Sequence, residues 1–190
     1  MTANANDRKP EFFIFEKAKM TRTIKLKTFL PYSPDKVWLA LTDAHLLGNW
    51  FMENDIEPKL NFEFTFRMAP QKGWDGITHC RIIAIEPQKR IAYTYRGEAS
   101  GEKALACAGI HSDAADKVTK GIFARLDTVL SFTLEPSCGG TILRLEHSGY
   151  KGLKLTIISL IMQMGWKKQL TKKLPKALER QSLQKQNVSI

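Results

Sequence analysis

The chain has 190 residues, 43% hydrophobic and 25% charged, with a net charge of +10. This is enough to bury a real core in one domain, and it excludes a chain disordered throughout. Residues 151–190 hold nine Lys or Arg and a single acid, Glu179, so the positive field is concentrated at the C-terminal end. Such a field attracts nucleic acid, an anionic membrane or an acidic partner, although a solvated helix face carries the same charges.

Residues 1–20 are polar and mixed and read as an N-terminal tail, with order expected near Phe12–Phe15. From Thr21 the sequence "TIKLKTFL" alternates, setting Ile24, Leu26 and Thr28 against Lys25 and Lys27, the pattern of a half-buried strand. Ser33-Pro34-Asp35 then reads as a helix start: an N-cap acceptor, a ring pre-set for helical φ and an acid at the positive helix end. Thr42 or Asp43 caps a second short helix, which Gly48 ends.

"NFEFTFRM" places Phe62, Phe64 and Phe66 on one strand face. "THCRIIAIE" and "RIAYTYR" follow, joined by the turn Pro87-Gln88-Lys89. "TVLSFTLE" and "TILRLEH" form another hairpin around "PSCGG". Between the two hairpins lies residues 97–127, a long insertion of the sort that is usually functional or mobile.

From Leu153 the period becomes helical. Ile158, Met162, Trp166, Leu170, Leu174 and Leu178 recur every fourth residue, and Ile157, Ile161 and Met164 are expected to widen that stripe. Pro175 should kink the helix or end it near Leu174, and residues 181–190 read as a fraying tail. Consecutive antiparallel strands followed by one long helix make an α+β domain, expected over residues 21–180.

The order of these elements and several strings resemble the helix-grip superfamily, also called START-like or SRPBCC. The branch is that of the activator of the heat-shock-protein-90 ATPase. The strings are "SPDKVWLALTDAHLLGNWF", "IIAIEPQKRIAYTY", "SFTLEPSCGGTILRLEHSGY" and the Gly165-Trp166 pair. The resemblance implies a curved antiparallel sheet wrapped around the C-terminal helix with a cavity between them. It departs at Leu60-Asn61, where a Gly-Gly pair is usual, and in the length of the 97–127 insertion.

No GxSxG, HExxH, P-loop or dinucleotide fingerprint is present, and neither a cofactor nor a metal is expected. Cys107 and His111 sit four apart with Asp113 and Asp116 nearby, a spacing read as chance because zinc takes three or four ligands in defined spacing. The three cysteines form no CxxC, and no secretory signal or bilayer-length apolar run occurs, so the expected location is cytoplasmic. His147 shares a strand face with Leu143 and Leu145, which leaves two readings open: a satisfied core histidine, or a polar group in a cavity.

The candidate cavity residues are Trp50, Phe64, Tyr93, Tyr95, His147, Met162 and Trp166, with Trp50 expected as a lid. The leading expectation is a non-catalytic domain binding a small hydrophobic or amphipathic ligand. A co-chaperone-like module meeting an acidic partner through the C-terminal lysines is the alternative. A cavity enzyme of the cyclase or hydrolase type, with His147 as its base, is a further one. Nucleic acid is not expected, because Trp166 lies on the apolar stripe and not among exposed basic residues.

Overall fold

The computed structural model describes residues 21–70, 74–99 and 126–187. Seven strands form one antiparallel sheet: β1 (Thr21–Leu30), β2 (Glu53–Asn54), β3 (Glu63–Arg67), β4 (Trp74–Glu86), β5 (Arg90–Ala99), β6 (Asp127–Ser137) and β7 (Gly140–Lys151). Their order is β1-β7-β6-β5-β4-β3-β2. Two short helices, α1 (Pro34–Thr42) and α2 (Ala44–Gly48), follow β1. The chain ends in α3 (Leu153–Lys168), a π-helical segment (Gln169–Lys173) and α4 (Leu174–Asn187). This is the expected α+β helix-grip architecture.

Local chemistry explains the boundaries. Asp43 caps α2, its carboxylate accepting from the Leu46 N–H at 2.8 Å. Ser33, expected to cap α1 in the same way, makes no side-chain bond to the helix amides. Its hydroxyl instead holds the Asp35 carboxyl below its ordinary value. Asn61 adopts φ 63° just before β3, so it supplies the left-handed conformation that Asn tolerates and glycine usually fills.

The outer sheet face carries the alternating charges. Arg144 of β7 bonds both oxygens of Glu135 on β6 at 2.6 and 2.9 Å, Arg67 of β3 reaches Asp55 at 3.0 Å, and Arg81 of β4 pairs with Glu63 of β3. These pairs are exposed and add little stability. No Lys from 154 to 176 has an ion pair among the described residues.

The inner face packs on the C-terminal helix. Alternation buries Phe64 and Phe66 on β3, Tyr93 and Tyr95 on β5, Leu130, Phe132 and Leu134 on β6, and Leu143, Leu145 and His147 on β7. Ile158, Trp166, Leu170, Leu174 and Leu178 of the C-terminal helix are buried against this layer or against α1.

Of the two outcomes expected at Pro175, the helix does not end there; α4 continues to Asn187. The helix differs from expectation in two ways. The interruption is the π segment just before Pro175, where the Leu174 N–H reaches back to the Gln169 carbonyl. A strict four-residue repeat overshoots the 3.6-residue turn and would rotate its apolar stripe by about 40° per turn. The wider π turn absorbs that excess and keeps Leu170, Leu174 and Leu178 on the buried side. Finally, Ile157, Ile161 and Met164 do not widen the buried stripe, because all three are exposed.

Candidate functional site

Six of the seven candidate residues meet in one layer between the sheet and α3, and Trp50 reaches it through Phe51. Phe64 stands edge-on to Tyr93 at 5.2 Å between ring centroids and edge-on to Phe66 at 5.3 Å. Tyr93 and Trp166 both contact Phe132. Tyr95 meets the His147 ring edge-on at 5.3 Å. Trp50 lies against Phe51, which stacks on Trp166 at 4.6 Å. Met162 joins from α3, half-buried.

Trp50 is not free to act as a lid. It is buried, and its indole N–H donates to the Ala40 carbonyl at 2.8 Å, tying it to α1. Its neighbour Phe51 is half-buried and stacks on Trp166.

A polar chain runs through the middle of this apolar layer. The Trp166 Nε1–H lies 3.1 Å from His147 Nδ1. Indole nitrogen only donates, so Nδ1 must carry its lone pair and the proton sits on Nε2. The Nε2–H then donates to Thr128 Oγ1 at 2.8 Å, and the Thr128 hydroxyl donates to the Tyr95 carbonyl at 3.0 Å. Each donor has an acceptor, which fixes the tautomer. Burial pushes the imidazole from its ordinary 6.5 down to about 3. His147 is therefore neutral near pH 7, and with Nδ1 already bonded it is placed to accept hydrogen bonds and not to take up a proton. Burial likewise raises the Tyr93, Tyr95 and Tyr150 hydroxyls, so the layer carries no charge.

Tyr150 was missing from the candidates, and it is the residue that gives the layer a spare donor. Its hydroxyl lies 2.9 Å from His147 Nδ1 and 3.2 Å from Met162 Sδ. Its proton can go to a nitrogen already shared with Trp166 or to a thioether, a weak acceptor. Strand alternation from His147 would turn Tyr150 outward, three residues on. Gly149, at φ 102°, resets the alternation so that both side chains face inward. A Cβ at Gly149 would meet the Asp127 carbonyl oxygen at 3.0 Å and Thr128 Cα at 3.1 Å. The string His-Ser-Gly-Tyr is thus a device for turning two polar rings to the same side.

The layer is less closed under α3 than elsewhere. Of the sixteen residues of α3 only Ile158, Ser159 and Trp166 are buried. Leu155 and Met162 are half-buried, as are Leu26, Phe51 and Met52. The Tyr150 hydroxyl thus meets Met162 where α3 packs on the sheet and is only half covered.

The Cys107–His111 pair and Asp113 and Asp116 lie outside the described residues. No group of three His, Cys, Asp or Glu among the described residues is placed to hold a metal ion. Cys80 is buried, its thiol pushed up, while Cys138 is exposed in the β6–β7 turn. No helix among the described residues is long and apolar enough to cross a membrane.

Residues 31–179 match the family described as activator of Hsp90 ATPase homolog 1-like protein. The chain belongs to this family. A structure of a Mesorhizobium loti protein is 30% identical over 84% of this chain and 98% of its own, with a TM-score of 0.63. The Aha1 dimer of Colwellia psychrerythraea is 19% identical over 83% of this chain and 96% of its own, with a TM-score of 0.58. CalU16 of Micromonospora echinospora is 18% identical over 86% of this chain and 80% of its own, at 0.57. None of the curated proteins matches the chain. The two structures at these lower identities share the fold with this chain, and the fold supports many unrelated functions.

Proposed function

We propose that the chain is a non-catalytic domain that binds a small hydrophobic or amphipathic ligand in the seam between α3 and the sheet. The observation that carries this reading is the Tyr150 hydroxyl. It is a buried donor that reaches the Met162 thioether, and Met162 and Leu155 of α3 are only half-buried. A ligand carbonyl or hydroxyl that displaced Met162 would replace a weak acceptor with a strong one, and the apolar body would cover Leu155, Phe51 and Met52. Affinity would then come from apolar burial, at about 25 cal/mol per Å2, with the polar group setting orientation. Met is suited to such a displacement because its side chain is unbranched and adaptable.

The test is a thermal-shift screen of delipidated protein against fatty acids, sterols and aromatic metabolites, repeated on Met162→Trp, which fills the seam. The proposal expects stabilisation of the parent by at least one compound class and loss of that shift in Met162→Trp. No shift with any class, or equal shifts in both proteins, would remove it.

A second reading has its own observation. A groove of about 380 Å3 between α2 and α4 is lined by His45, Asn49, Lys173, Lys176, Arg180 and Gln181 among others, with no acid in the lining. We infer that an acidic partner segment is the natural occupant of such a groove, which is the co-chaperone-like alternative. Binding of an acidic protein that weakens steeply with salt, and that Lys176→Glu with Arg180→Glu abolishes, supports it. Binding indifferent to both contradicts it.

A further inference from the structure

α3 is apolar on two opposite sides, and only one of them meets the sheet. Ile158 and Trp166 point to the sheet, while Leu153, Ile157, Leu160, Ile161 and Met164 point away and are exposed, from 48% at Leu160 to 75% at Met164. Their spacing of four, three, one and three residues confines them to an arc of about 100°. Together they leave a patch on the order of 500 Å2, the upper end of what a monomer shows to water. Scattered exposed side chains need no explanation, but a continuous stripe along twelve residues does.

The charges around the stripe are of one sign. Residues 153–173 carry five lysines and no acid. Lys167 and Lys168 fall at the end of the stripe, and Lys154 falls on its flank by the same helical arithmetic. None has an ion pair among the described residues. A second copy of the chain would have to bring two such helices together, lysine against lysine, across an isologous contact. A convex apolar ridge with a uniformly basic border fits a surface that is itself apolar below and anionic above.

We propose that the outward face of α3 docks on an anionic lipid surface. The aliphatic stripe enters the headgroup–acyl boundary, and Lys154, Lys167 and Lys168 meet the lipid phosphates. The helix lies in the surface plane and does not cross it, since it is too short and the sheet covers its other side. The proposal concerns the face opposite the aromatic layer and does not depend on what, if anything, that layer binds.

The test is co-flotation of the full chain with vesicles of phosphatidylcholine alone and of phosphatidylcholine containing phosphatidylglycerol. The parent, Ile161→Ser with Met164→Ser, and Lys167→Glu with Lys168→Glu are compared, with thermal unfolding of each. The expected result is binding to the anionic vesicles, weakened by salt, and reduced about tenfold or more in each variant, with melting temperatures unchanged. Binding to neither vesicle type overturns the proposal. So does equal binding by all three proteins. A concentration-dependent dimer of the parent that the serine variant loses would assign the stripe to a second copy. A fall of several degrees in the melting temperature of the serine variant would assign it to the chain's own packing. Either outcome overturns the proposal.

Discussion

His147 has its ordinary value of 6.5 only where water can reach it; in the fold, burial holds it at about 3. A depressed value means that the unfolded chain binds a proton the folded chain refuses. The stabilising contribution is complete above pH 6.5 and is lost as pH falls from 6.5 toward 3. Each unit in that window costs about 1.4 kcal/mol for one titrating group. Between pH 7 and pH 4.5 the loss from this imidazole alone is therefore roughly 2–3 kcal/mol, a large part of the 5–15 kcal/mol typical of such a domain. The perturbation is His147→Gln, whose amide oxygen can accept from the Trp166 indole and whose amide nitrogen can donate to Thr128, without titrating. The assay is urea unfolding followed by tryptophan fluorescence at several pH values between 7 and 4.5. The other titratable groups are common to both proteins, so the difference between the two stability curves isolates His147. The parent should lose roughly 2–3 kcal/mol more than the variant over that range. Parallel curves would refute the reasoning, because they would mean that the imidazole is not buried as a neutral acceptor.

Trp166→Phe removes one of the two donors facing Nδ1 while keeping a ring against Phe51, and it should cost about 1–3 kcal/mol in the same urea assay at pH 7; a neutral effect would mean that the indole bond adds nothing that the Tyr150 hydroxyl does not supply. Gly149→Ala forces a side chain into a left-handed position facing the Asp127 carbonyl and should lower the melting temperature by several degrees. Gly139→Ala, also left-handed at φ 74° but with open space around it, should cost less, and equal losses would contradict the packing argument. In a Cys107→Ser background, Cys138 should react promptly with a thiol reagent and Cys80 only on unfolding; rapid reaction of two thiols in the native protein would show the β4 interior to be open.

Much of this architecture was legible in the sequence because local signals and global fold agree. Alternation along Phe62–Phe66, Arg90–Arg96 and Thr141–His147 set the inner face correctly, down to the inward placement of His147. Asp43 acted as the cap its residue type suggests. What escaped were the places where one element breaks its own period. Tyr150 was hidden because strand parity turns it outward, and only a left-handed glycine at 149 turns it back. The C-terminal helix misled in the same way. A strict repeat of four cannot stay on one side of a 3.6-residue helix, so the sequence already required a wider turn somewhere between Ile158 and Leu178. Treating the helix as uniform gathered Ile157, Ile161 and Met164 into the buried stripe, whereas they form a separate exposed one. Trp50 was misjudged because a large aromatic beside a short helix suggests a lid, and its indole bond to the Ala40 carbonyl is a long-range fact that no local pattern carries.

The central claim is that the seam above Tyr150 holds a small apolar ligand. Native mass spectrometry of the protein purified from its own host tests it most directly. The account predicts a discrete added mass in the parent protein that disappears in Met162→Trp. A bare polypeptide mass in the parent under conditions that retain weak complexes, or an adduct that persists unchanged in Met162→Trp, would contradict it.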